Sequence, residues 1–354
     1  MTTAMRAEID EIPGVVERAL AEGDPDVERI AAAIRAFRPG WVSFAGRGTS
    51  DCVCTYGRYL VEVATGLPVV PAAASATTLY RAAHRWEHGL LVSVSQSGRS
   101  ADIVAVSEAA RRGGALTVAI TNDPASPLAA AAEHVLPARA GEELAVAATK
   151  TYVACLVALA ALVARWIGTR RLAEGLERLP AVLRGTLHEA APWIEASGIV
   201  PAFAGAQQAL IVSRGYDLAT ALEIALKLQE TAGLFAIGYS TADLEHGPVA
   251  LARADVPVLA IRPDGDAGRR IDGALERVRA IGARPWIVGG QETPSDLGAP
   301  RSDGHSLRLP LTLPIELQAA CLILPGQLLA EAVSRARGRD PDRPAGLTKV
   351  TTTL

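Results

Sequence analysis

The segment "SQSGRS", Ser95 to Ser100, sets three serines and a glycine between an apolar run, "LLVSV", and a helical pattern, "ADIVAVSEAARR". A similar turn, "GRGTSD" (46–51), follows the apolar "WVSFA" and supplies Thr49 and Ser50. Hydroxyls at the start of a helix have two uses. They cap it, accepting hydrogen bonds from its unpaired N–H groups. They also join those N–H groups and the positive end of the helix dipole in holding an anion. Small hydroxyl side chains add donors without blocking the approach, and Gly98 lets the backbone turn tightly. One such turn reads as a cap; two that open at the same edge of one sheet read as a grip on a shared phosphate. Neither turn is a nucleotide loop, because GxxxxGK[ST] is absent and "GRGTSDCVCTYG" is not GxGxxG. The expected ligand is a small phosphorylated molecule.

A second group of residues suits proton transfer. In "TALEIALKLQETAGL" (220–234), Glu223, Lys227 and Glu230 fall at i, i+4 and i+7 and share one helix face. Such a stripe is either a solvated, salt-bridged face or, on a helix otherwise made of Leu, Ile and Ala, the wall of a cavity or interface. Downstream, His246 precedes Gly247-Pro248, which ends any helix and fixes a loop. Histidine is a side chain suited to acid–base catalysis. His84, His88, His134, His188 and His305 lie in charged or linker-like surroundings, and no HExxH spacing supports a metal site. A phosphate grip, a carboxylate, a lysine and a histidine together fit chemistry beside a carbonyl. The carboxylate would move a proton between two carbons of an open-chain sugar, the histidine would open the ring, and a cation would steady the developing enediolate.

The elements that must hold these residues alternate along the chain. Short apolar runs at 41–46, 90–95, 116–121, 134–138, 209–214, 257–262, 284–289 and 306–311 read as buried strands, separated by longer Ala- and Arg-rich helical patterns. That alternation predicts parallel sheets covered on both faces. The pattern also repeats. "FAGRGTSDCVCTYGRYLVEVATGLP" resembles "IVSRGYDLATALEIALKLQETAGLF", "VSVSQSG" aligns with "LAIRPDG", and "GGALTVAIT" meets "IGARPWIVG", at an offset of about 167 residues. Two copies of one α/β unit follow, with a boundary expected around 188–198. Only the first copy keeps the hydroxyl-rich turn, since the second has Arg262-Pro263-Asp264-Gly265-Asp266 there. Anion binding is therefore expected in the first copy only, and the charged helix in the second.

Composition narrows the class. The chain has 354 residues, enough for two domains. Hydrophobic residues make up 49% and aromatics only 4%, so the core is aliphatic. The net charge of −3, with scattered Lys and Arg, gives no footprint for nucleic acid. Cys52, Cys54, Cys155 and Cys321 fit neither zinc spacing nor a disulfide framework and are expected to be buried, reduced thiols. The opening "MTTAMRAEIDEIPG" lacks a signal pattern. The longest apolar run, Tyr152–Ala164, is shorter than the roughly 20 residues of a membrane span. A soluble cytoplasmic protein without membrane or nucleic-acid partners is expected.

These motifs resemble the double sugar isomerase (SIS) domain proteins, in particular the isomerase half of glucosamine-6-phosphate synthase and the stand-alone amino-sugar-phosphate deaminases. "MRAEIDEIP", "GRGTS", "SQSGRSAD", "GEELAVAATKTYVA", "ALEIALKLQETAG", "DLEHGPVAL" and the tail "LPGQLLAEAVSRARGRDPDRPAGLTKVTTTL" follow the family pattern in order over nearly the whole length. The resemblance implies an α/β fold of two tandem SIS domains, each a three-layer α/β/α sandwich with a mainly parallel, flavodoxin-like sheet. Its parts would be an N-terminal helix (1–25), a phosphate-binding domain (26–187), a domain with the catalytic helix and His loop (195–340) and a closing tail (341–354). It implies that Thr49, Ser50, Ser95, Gln96, Ser97 and Ser100 hold the sugar phosphate, with Val146 contributing through its backbone. Glu230 would move the proton between C1 and C2, and Glu223 and Lys227 would complete the polar wall. His246 would open the ring from a neighbouring subunit of a homodimer. Lys349 would close over the substrate and contact its carbonyl, where a disordered terminus is the alternative.

Two departures bear on the reaction. The synthase carries an N-terminal glutaminase domain that this sequence, beginning Met-Thr, does not show. The turn carries Arg99 where the synthase has an acidic residue, which changes the charge beside the ligand. Without a glutamine-derived ammonia source, the expected reaction is glucosamine 6-phosphate to fructose 6-phosphate plus ammonia, with no metal or other cofactor. A fructosamine-phosphate deglycase, an aldose–ketose or aminotransferase-like isomerase, and a sugar-phosphate-binding regulatory module are the alternatives.

Overall fold

The computed structural model describes residues 2–292 and 304–349. The first part of the chain forms α1 (Ala4–Phe37), β1 (Trp41–Ala45), α2 (Thr49–Thr65), β2 (Val69–Pro71), α3 (Ala74–Thr78), β3 (Gly89–Val94), α4 (Ala101–Arg112) and β4 (Leu116–Thr121). Then come α5 (Pro127–Ala131), β5 (His134–Pro137), α6 (Lys150–Ile167), α7 (Arg170–Ala196) and α8 (Ile199–Gly205). The second sheet is built from β6 (Gln208–Ser213), α9 (Leu218–Ala232), β7 (Phe235–Ser240), α10 (Thr241–Glu245), β8 (Val258–Arg262), α11 (Asp266–Ala280), β9 (Trp286–Gly289) and β10 (Ser306–Arg308). Helix α12 (Ala319–Ala336) closes the set.

Both sheets have five strands, and every pairing among the described residues is parallel. The orders are β2-β1-β3-β4-β5 and β10-β9-β8-β6-β7. Read from its other end, as β7-β6-β8-β9-β10, the second order is the first one over again, so the repeat seen in the sequence is a repeat of topology. In each sheet the chain reverses its winding direction between two neighbours, β1 and β3 in one and β6 and β8 in the other. That is the point at which open parallel sheets present a crevice.

The chain divides into two compact units. One holds the first sheet, from Gly14 to Glu143 and Lys150 to Glu177, with the tail from Thr348. The other holds the second sheet, from Arg178 to Leu347, together with the segment up to Pro13 and the loop Leu144–Thr149. In the first unit, Phe44 packs beneath α2 and α6, where Gly57 and Leu159 meet its ring. A Cβ at Gly57 would lie 2.6 Å from Phe44, so the close approach of α2 needs glycine. The neighbouring Ala45 points to the other face and joins Leu91, Ile103, Val106 and Leu128. In the second unit, Leu210, Val212, Val258 and Ala260 pack against Ile271, Leu275 and Val278 of α11. The opposite face is covered by α9 and α12, which pack so closely that Gly326 sits directly on Ile224. Each unit is thus a three-layer α/β/α sandwich.

Several elements differ from the expectation. The opening helix does not stop near residue 25 but continues to Phe37, because Ile30, Ala31 and Ile34 are wholly buried and packing overrides Pro25. The unit boundary falls at Glu177/Arg178, inside α7, rather than at 188–198. The last expected strand, 306–311, ends at Arg308; Pro310 has no N–H to extend the ladder. Strands β2 and β7 were not foreseen. Both are edge strands; β2 has three residues, ends in proline and is largely exposed, and β7 has only a weak alternation. Helices α6 and the segment Ile315–Ala336 are long and apolar enough to cross a membrane, yet 72% and 94% of their apolar windows are buried inside the protein. All four cysteines are buried. Burial raises the thiols of Cys155 and Cys321 to about 12 and lifts Cys54 well above its usual range.

Candidate functional site

The two hydroxyl-rich turns leave the first sheet side by side. Ala45, the last residue of β1, is level with Ser93 of β3, so both turns start at one height at the winding reversal. A salt bridge ties them laterally: Arg47 of the first turn donates from Nε to Oδ2 of Asp102, in the first turn of α4, at 2.8 Å. Asp102 is buried and also accepts from the N–H of Ile103.

Ser95 is buried and organises its turn, its Oγ accepting from the N–H of Gly98 at 3.2 Å. Gly98 is left-handed (φ 63°), and a Cβ there would lie 2.0 Å from Ser126 Oγ, so only glycine fits. Ser97 Oγ accepts from the N–H of Arg99, whose guanidinium reaches Asp123. Ser100 stands at the N-cap of α4, but its hydroxyl makes no capping hydrogen bond. Gly48 is the N-cap of α2, which leaves Thr49 and Ser50 in that helix's first turn. Capping therefore does not explain Ser100, and neither Thr49 nor Ser50 is the N-cap of α2.

Gln96 turns toward the protein. Its Nε2 donates to Glu143 Oε2 at 2.6 Å. Glu143 also accepts from the N–H and Oγ1 of Thr151 and pairs with Lys349 Nζ at 3.1 Å. Lys349 is thus placed in the same unit as the turns. The tail is tied down earlier as well: the Asp342 carboxylate caps α1 by accepting from the N–H groups of Ala4 and Met5, each at 2.8 Å. The Asp342 carbonyl takes the N–H of Val146 at 3.0 Å. With its N–H engaged, the backbone of Val146 offers a ligand a carbonyl, which suits a hydroxyl rather than a phosphate oxygen. Val350–Leu354, the end of the expected closing tail, lie outside the described residues.

In the second unit, α9 carries Glu223, Lys227 and Glu230 on one face, as the spacing predicts. The face is not solvated. Glu223 is 0% and Lys227 1% exposed, while Glu230 retains 25%. Lys227 Nζ lies 3.4 Å from Glu223 Oε1 and is bonded to Glu230 Oε2. A cation held between two carboxylates offsets the cost of burying all three charges. Glu230 is the member of this group open to an incoming molecule. His246 ends α10 and is exposed, with Gly247 (φ 132°) and Pro248 fixing the loop beyond it. At the start of α9, Asp217 is fully buried; burial raises its carboxyl to about 7, against a hydrogen bond from Thr220. Its Oδ2 has no hydrogen-bond partner.

The second sheet's own winding reversal is filled by protein. Arg262 is buried in a bidentate pair with Asp272. Asp264 is held by Gln318 and by the N–H of Glu292. Glu292 Oε2 accepts from the N–H of Gly265, the N-cap of α11, at 2.9 Å. A carboxylate occupies the position that a bound anion takes in such a turn. Among the described residues, no group of three or more His, Cys, Asp or Glu is arranged to hold a metal ion.

The SIS domain profile matches residues 41–165 and 202–295, one segment on each sheet. The chain belongs to the SIS domain family. This SIS chain is 37% identical over 332 residues to a glutamine–fructose-6-phosphate aminotransferase (isomerizing) of Symbiobacterium thermophilum, covering 91% of the chain and 53% of that protein. The enzyme of the same name from Methanothermobacter thermautotrophicus is 35% identical over 351 residues, covering 98% of the chain and 57% of its own length. The SIS chain thus spans about half the length of the curated relatives it matches. Among solved structures it resembles a presumed phosphosugar isomerase of Silicibacter pomeroyi DSS-3 (TM-score 0.84, 37% identity, 96% and 100% covered). It also resembles the C-terminal domain of glucosamine-fructose-6-phosphate aminotransferase from Francisella tularensis (TM-score 0.86, 25% identity, 97% and 99% covered). Glucosamine-6-phosphate deaminase of Thermotoga maritima shares the fold (TM-score 0.77, 20% identity, 99% and 100% covered).

Sequence reading of the SIS chain missed Arg47, Asp102 and Glu143. Arg47 and Asp102 lie within the quoted turns, and their opposite charges at the heads of neighbouring turns were the available signal. Glu143 had none, because its partners are 47, 8 and 206 residues away.

Proposed function

We propose that the chain is an amino-sugar-phosphate isomerase of the deaminase type, converting glucosamine 6-phosphate to fructose 6-phosphate and ammonia in the cytoplasm. The observation that carries this reading is the burial of Glu223 and Lys227 beside a partly open Glu230. A charged face serving only solubility has no reason to be removed from water.

In the proposed reaction the phosphate rests against Thr49, Ser50, Ser97 and Ser100 and the N-termini of α2 and α4. Ser95 and Gln96 shape that turn. His246 of the partner subunit, in a homodimer, opens the ring by moving a proton between O1 and O5; its exposure in a rigid loop supports that role. Glu230 takes the proton from C2 of the open-chain aldehyde and returns it to C1, leaving an imine at C2. Lys227 steadies the negative charge that develops on the way. Water adds to the imine, the C–N bond breaks, and ammonia leaves with the ketose. Lys349 contacts the carbonyl end, and the Val146 carbonyl accepts from a sugar hydroxyl.

The test is ammonia release from a panel of phosphorylated amino sugars. Release from glucosamine 6-phosphate is the expected result. Turnover of fructosamine phosphates alone would make the protein a deglycase, and micromolar binding without turnover would make it a sensor.

A further inference from the structure

We propose that Glu143 is a positioning residue that docks the tail lysine, Lys349, beside the phosphate turn before any substrate arrives. The inference rests on the reading of Lys349 given above and adds a residue to it.

The Glu143 side chain is 1% exposed. A carboxylate so buried is costly unless its oxygens are bonded. Here they are bonded by three separate stretches of chain. Oε1 accepts from the N–H of Thr151, at the start of α6, at 3.2 Å. Oε2 accepts from Thr151 Oγ1 at 3.0 Å, from Gln96 Nε2 at 2.6 Å and from Lys349 Nζ at 3.1 Å. The Thr151 bonds fix the carboxylate on a rigid helix end. Its remaining lone pairs face the "SQSGRS" turn on one side and the tail on the other. The same oxygen therefore sets the rotamer of Gln96 and the position of the Lys349 ammonium. Lys349, 30% exposed and outside any helix or strand, is the movable partner of the two.

Glu143→Gln keeps the shape and removes the charge. The experiment uses the full chain without ligand. Trypsin releases the pentapeptide Val350–Leu354 by cutting after Lys349, and mass spectrometry follows its appearance. The expected result is release about fivefold faster in Glu143→Gln, as losing an ion pair of roughly 1 kcal/mol requires, at a temperature where the variant is still folded and with internal cleavages unchanged. In the same variant kcat on the sugar phosphate falls more than KM rises. Equal release rates from folded parent and variant overturn the proposal. If Glu143→Gln does not fold, Glu143→Asp, which draws the carboxylate back by one methylene, is read in the same way. Faster release in a protein whose parent turns over no sugar would leave the latch standing and remove the enzyme reading; normal turnover with equal release would do the reverse.

Discussion

Arg47 and Asp102 meet at 2.8 Å across the mouth of the first sheet, one from the turn after β1 and one from the turn after β3. The pair joins the two hydroxyl-bearing turns, and it neutralises a carboxylate that would otherwise repel an anion at the N-terminus of α4. Arg47→Ala leaves Asp102 buried, charged and unpaired in the wall of the proposed phosphate site. Phosphate and sugar-phosphate affinity should drop about tenfold by calorimetry, with a loss of roughly 1–3 kcal/mol in stability. Arg99→Ala, which breaks an exposed pair with Asp123 on the same turn, should change stability far less. Unchanged anion affinity in Arg47→Ala would detach this pair from binding.

Ser100 separates capping from binding. An N-cap serine ordinarily contributes about 1 kcal/mol, which its alanine variant loses. The Ser100 hydroxyl makes no capping bond. Ser100→Ala should therefore melt within a degree or so of the parent while binding sugar phosphate several-fold more weakly; Ser97→Ala should weaken binding as well. A destabilised Ser100→Ala with normal affinity would return the turn to a structural role.

Asp217 gives a pH dependence whose sign follows from burial. Its carboxyl titrates near 7 in the folded protein and near the ordinary 3.8 when unfolded. Between those values the folded state holds the extra proton. Stability from this group is therefore greatest below about pH 4 and is lost as pH rises through 7. Asp217→Asn should flatten that slope and raise the melting temperature by about 3 °C or more at pH 8, with little effect at pH 4. Parallel pH profiles for the two proteins would exclude Asp217 as the source.

The sequence made the core of the fold legible because its strands are continuous apolar runs buried on both faces, such as "LLVSV" and "LTVAIT". Edge strands β2 and β7 carry no such run. The repeat was visible for the same reason, since the matching segments are the central strands and the turns that follow them. On α9, the spacing of Glu223, Lys227 and Glu230 placed them on one face, but the burial of Glu223 and Lys227 depends on packing by neighbouring elements, and i, i+4 periodicity carries no record of a neighbour. Val146 shows another limit. Its place in a motif says nothing of whether its N–H is already taken, and the partner, Asp342, lies near the far end of the chain. Glu292 is a similar case, a carboxylate filling the second sheet's anion position from 27 residues beyond Gly265.

The central claim is that Glu230 moves a proton at the carbons next to a sugar carbonyl. Proton NMR of fructose 6-phosphate incubated with the protein in deuterated water reads that step directly, whatever group leaves in the full reaction. The parent should exchange one C1 hydrogen for deuterium. Glu230→Gln should bind the sugar within a few-fold of the parent and exchange at least about a hundredfold more slowly. A parent that binds sugar phosphates and leaves every C–H unexchanged, or a Glu230→Gln variant that exchanges at the parent's rate, would contradict the account.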